Sequence, residues 1–184
     1  MFLSKLLRGA AFCGFISGIA CMPGCSSDKT ANESNSLGSD VVRDGSTTTA
    51  ALNEFLGTEA DDWPWAGGQF VTPMDQDVLA PDTAEVFTWK ADSTDPPDPK
   101  DTLDPKKQQG QTFLLVFSIP SNAKLLRVFT NLTTYTPSDV AWQKLVSAGQ
   151  PITLSITSAT FENDLLTSDG GPHSGQTLSF TIQP

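Results

Sequence analysis

The chain has no cysteine beyond residue 25, one histidine, one tyrosine and only 17% charged residues. Cys13, Cys21 and Cys25 stand near the start, so whatever folds downstream has neither a disulfide framework nor a thiolate metal site. A packed core must hold it. Basic residues are scarce as well, 11 against 21 acidic, for a net charge of −10. No basic stripe offsets that acidity, which repels phosphate backbones and excludes nucleic-acid binding. The motifs of catalysis are missing too: there is no Gly-x-Ser-x-Gly, His-Glu-x-x-His or phosphate-loop pattern. His173 lies in a Gly/Pro/Ser loop with Asp169 and Ser174, but neighbours on one loop do not make a preorganised triad. Asp61-Asp62, and Glu162 with Asp164, fall in polar linkers or loops rather than across a cleft, as glycosidase chemistry would require. The expectation is a protein that is not an enzyme and needs no cofactor.

What is present divides into three stretches. Lys5 and Arg8 precede an apolar run over 10–22, roughly a dozen residues and short of the about 20 needed for a membrane-spanning helix. A signal peptide over 1–24 fits this pattern better than a permanent span. Gly24-Cys25-Ser26-Ser27 then resembles the end of a bacterial lipoprotein signal, with Ile19-Ala20-Cys21 as a competing site. The resemblance implies export, acylation of Cys25 (or Cys21) and attachment to the cell envelope through a lipid anchor. Ser26 in place of Asp implies the outer membrane. Each buried acyl methylene contributes about 0.8 kcal/mol, so several chains together hold firmly. Without residues 1–24 the chain keeps nine basic and 21 acidic residues, a net −12.

Residues 25–62 have little to bury apart from a mildly helical patch at 50–56. Low hydrophobicity with scattered acids does not offset ordering entropy, so this stretch reads as a disordered tether. As a flexible coil it would span about 30–37 Å.

From Trp63 to the C-terminus the pattern changes to period-two alternation, the mark of strands with one buried face. Ile152, Leu154 and Ile156 form one inward row, and Leu178, Phe180 and Ile182 a second. Phe113, Leu115 and Phe117 form a third, Phe87 with Trp89 a fourth, and Leu126 with Val128 a fifth. Turn formers separate them at Pro120-Ser121-Asn122, Gly149-Gln150-Pro151 and Gly170-Gly171-Pro172. Short strands without βαβ alternation predict an all-β, antiparallel β-sandwich over 63–184. Val86-Phe87-Thr88-Trp89, the run 113–118 and the run 149–159 resemble strands of a fibronectin type III-like domain, the likeness covering about 69–183. That family places a tyrosine where Ile152 stands, so another immunoglobulin-like topology stays open. The resemblance implies a binding or spacer module and brings no catalytic residue with it. One short helix is expected after Ser138, with Trp142 and Leu145 on one face and Trp142 plugging the core.

Two features remain as sites. Asp92, Asp95, Asp98, Asp101 and Asp104 recur every third residue among prolines, so in a polyproline II helix they would line one edge. At about 9 Å between neighbours such an edge cannot close around one calcium ion, which needs 6–8 oxygens at about 2.3–2.6 Å. A solvated acidic loop is expected, with a weak calcium or basic-partner contact as the alternative. Trp63-Pro64-Trp65 opens the domain, either fastening its start or offering rigid indoles to a sugar ring or a partner's apolar face. The function expected is a non-enzymatic envelope module for binding, adhesion or spacing, its partner a protein or glycan. The alternative is a carbohydrate-binding module using Trp63, Trp65 and Trp142.

Overall fold

The computed structural model describes residues 38–63, 66–91 and 106–183. Their core is one long-stranded sheet. β5 (Gly110–Ile119) turns tightly through Pro120 and Ser121 into β6 (Asn122–Thr130), as the turn formers predict. β8 (Ile152–Glu162) pairs antiparallel with the other side of β5, from Gly110 opposite Phe161 to Ser118 opposite Thr153. β10 (His173–Ile182) pairs antiparallel with β8. Two short strands close the edges in parallel: β1 (Val41–Asp44) beside β6, and β3 (Val78–Leu79) beside β10. The order is β1-β6-β5-β8-β10-β3, with the short β9 (Leu165–Leu166) returning against β8. A second sheet is small and antiparallel: β2 (Gln69–Thr72), β4 (Phe87–Lys90) and β7 (Thr134–Tyr135).

The antiparallel immunoglobulin-like sandwich expected from the sequence is therefore corrected. The large sheet is mixed and strongly curled into a half-barrel, and the three-stranded sheet is a minor partner to it. All thirteen side chains of the five apolar rows are buried in one cluster. Period two reports which face of a strand is buried and is silent on its neighbours, so it could not reveal the parallel edges. Phe87 meets Phe117 edge to face at 5.1 Å, and Trp89 meets Phe113 at 5.5 Å, fastening the small sheet to the concave side. The helix α2 (Asp139–Val146) begins where Ser138 accepts a hydrogen bond from the Ala141 amide, and it adds Trp142 and Leu145 to the same cluster.

The other face of the large sheet is buried as well. Leu114, Phe129, Ala159 and Phe161 point away from the main cluster and meet Ala51, Leu52 and Phe55. Those three belong to a second helix, α1 (Thr49–Gly57). Residues 38–62, which read as tether, thus supply one edge strand and the helix that covers the convex face. Thr48 caps α1, accepting from the Ala51 amide and donating to Asp164 Oδ1 at 2.6 Å. Asp164 occupies a two-residue hairpin turn with Asn163, both at positive φ, a conformation that Asn and Asp tolerate better than most residues. At the start of β1, Arg127 Nε donates to Asp40 Oδ2 at 2.6 Å. That hydrogen bond holds the Asp40 carboxyl below the usual carboxylate range, outweighing the opposing effect of burial.

Two outcomes follow from this packing. Phe55→Ala should cost about 3–5 kcal/mol in urea unfolding, as for a core phenylalanine, whereas a residue in a tether would cost nothing measurable. Tyr135 is the chain's single tyrosine, and burial foremost, with the Asp44 charge, pushes its hydroxyl up to about 12. Its folded value lies above the unfolded one near 10, so the associated stability is complete below pH 10. It should be lost as the pH rises from about 10 to about 12, which absorbance of the phenolate checks directly.

Candidate functional site

Residues 59–63 run beside the start of β10 and wall a cleft. The Asp61 amide donates to the Pro172 carbonyl at 3.0 Å, and the Ser174 amide donates to the Asp61 carbonyl at 2.9 Å. This single parallel bridge lays Asp61 alongside His173. The chain then turns, with the Ala66 and Gly67 amides donating to the Trp63 carbonyl, and returns across β10 where the Gln176 amide donates to the Gly68 carbonyl. Gly67 and Gly175 cross so closely that a Cβ on Gly67 would lie 2.1 Å from the Gly175 nitrogen. Only glycine fits that crossing.

His173 organises the cleft. It is buried, with Nδ1 at 2.6 Å from Asp61 Oδ1 and Nε2 at 3.2 Å from the Asp169 carbonyl oxygen. Both ring nitrogens thus face an oxygen, a carboxylate on one side and a backbone carbonyl on the other. Trp63 stands edge-on against the imidazole, ring centroids 5.2 Å apart at 78°, and is 54% exposed. The cleft encloses about 200 Å³, and Glu59, Asp61, Trp63, Ser168, Asp169 and Pro172 line it together with His173. Its charged lining is acidic apart from the histidine, with neither lysine nor arginine.

The residues singled out by sequence fall unevenly. Trp63 is at the cleft mouth. Trp142 is not part of any binding surface: it is 3% exposed, and its Nε1 donates to the Pro81 carbonyl at 2.7 Å. Its flat faces are spent on the core. Trp65, Cys21 and Cys25 lie outside the described residues, as do Asp92, Asp95, Asp98, Asp101 and Asp104. Asp169 and Ser174 do surround His173, but through backbone groups rather than side chains. The carboxylate that meets the histidine is Asp61, 112 residues away and read from the sequence as linker. No spacing could have joined them; the one available cue was that Asp61 sits two residues before Trp63. Among the described residues no group of three or more His, Cys, Asp or Glu could hold a metal ion. No helix among them is long and apolar enough to cross a membrane. No known protein family, curated protein or solved structure matches the chain.

His173→Ala should strand the Asp61 carboxylate and the Asp169 carbonyl and release residues 59–63 from β10. A loss of about 1–3 kcal/mol is expected, read as a lowered urea midpoint with an unchanged slope.

Proposed function

We propose that the chain is a lipid-anchored protein of the bacterial cell envelope whose folded domain is a non-catalytic binding module, with the Trp63 cleft as its binding surface. One observation carries this reading: a half-exposed indole is held edge-on by a histidine whose two nitrogens are already engaged. The arrangement fixes an aromatic platform at the mouth of the cleft. Tryptophan ranks among the residues that dominate binding interfaces, because it gives large contact area at small entropic cost. A bare spacer has no use for such a platform. The anchor rests on the basic start, the short apolar run and Gly24-Cys25-Ser26. The residue after Cys25 favours the outer membrane.

The test has two parts. In cells fed labelled palmitate, Cys25→Ser should abolish incorporation and release the protein from membranes, while Cys21→Ser should leave both unchanged. The opposite pattern would move the anchor to Cys21, and label retained in the double variant would remove it. In intact cells, Trp63→Ala should eliminate the protein's principal cross-linked adduct while the melting temperature stays within a degree or two. A matching loss of folding would reassign Trp63 to packing.

A further inference from the structure

The lining of the cleft is unbalanced in a way that selects a ligand. Glu59, Asp61 and Asp169 are acceptors only when ionised. Both ring nitrogens of His173 already face Asp61 and the Asp169 carbonyl, so the ring turns no free donor toward a ligand. Ser168 is the remaining lining side chain with a polar hydrogen, apart from the indole N–H of Trp63. A sugar ring needs donors and acceptors in similar numbers. An ammonium or a guanidinium is all donor, three N–H in the first case and five in the second. The aromatic wall points the same way, because the face of an indole attracts a cation and does so best for tryptophan. Electrostatics agree: Glu59, Asp61 and Asp169 are acidic, and no lysine or arginine stands among the lining residues. Size agrees as well. About 200 Å³ is below the about 300–1,000 Å³ of sites for drug-sized ligands and suits the end of one side chain rather than an extended oligosaccharide.

From these observations we infer that the Trp63 cleft binds an organic cation, the guanidinium or primary ammonium end of an arginine, a lysine or a small amine. This assignment rests on the binding reading of the cleft given above and adds the ligand class to it. In the bound state the cation lies over the Trp63 face, and its N–H groups donate to Glu59 and Asp169.

Calorimetry on the full-length chain in neutral detergent tests it. The probes are an acetylated and amidated Gly-Arg-Arg-Arg-Gly peptide, its lysine counterpart, spermidine, and a neutral chitin tetrasaccharide. The basic peptides or spermidine should bind and the sugar should not. Preference for the peptides identifies a partner's side chain as the source, and preference for spermidine a free amine; either supports the ligand class. Trp63→Ala removes no charge and should weaken binding about 3–30-fold. Glu59→Gln, at an exposed position far from the core, should weaken it about 2–5-fold. Basic probes that bind equally well to a normally folded Trp63→Ala chain would overturn the inference, because the attraction would then belong to the overall negative charge. Binding of the tetrasaccharide alone, lost in Trp63→Ala, would overturn the ligand class and keep the cleft as a binding site. No binding by any probe would also overturn the inference, while the cross-linking experiment would still decide the binding reading by itself.

Discussion

The structure depends on β5 and β8 being buried on both faces at once. Along their shared register, Phe113, Leu115 and Phe117 lie with Leu154 and Ile156 on the concave side, and Leu114, Ala159 and Phe161 lie on the convex side. Where a strand pair is buried on both faces, as it is around Leu114, Ala159 and Phe161, it needs two covers. The three-stranded sheet and α2 provide the first. The second comes from α1, with Phe55 set 5.5 Å from Phe129 and 6.3 Å from Phe161. The helix is short and its own propensity slight, so the sheet beneath it supplies most of the reason for it to form.

Much of the core was readable from residue types alone, and the reason lies in what alternation encodes. Ile152, Leu154 and Ile156 alternate with Thr153 and Ser155 because one face meets water and the other does not. The Pro120-Ser121 turn and the Ser138 cap were readable for a similar reason, since local backbone chemistry dictates both. Pairing was not readable. Val41 to Asp44 carry no mark that sends them alongside Arg127 to Thr130 in parallel. The contribution of residues 38–62 was hidden by averaging. Val41, Ala51, Leu52 and Phe55 are few among many polar residues, and they suffice only because the convex face supplies the rest of the contact. Over the whole stretch the composition still resembles a tether.

At the cleft the sequence named Trp63 and missed the pairing of His173 with Asp61. A histidine held by a carboxylate is half of a familiar catalytic arrangement. Its second nitrogen meets the Asp169 carbonyl oxygen. The imidazole acts as a strut between two backbone segments, and the indole inherits its orientation from that strut.

The route of the chain from β1 to Trp63 also has a mechanical consequence. Gly38 and Trp63 are joined through β1, α1 and the segment after it, none of which belongs to the central strands. If the molecule is gripped at Trp63 and pulled from its N-terminal side, the load enters this outer layer first, through the pairing of β1 with β6 and the Asp40–Arg127 contact. The packing of α1 under Phe55 comes next along the chain, and the long pairing of β5 with β8 lies behind both.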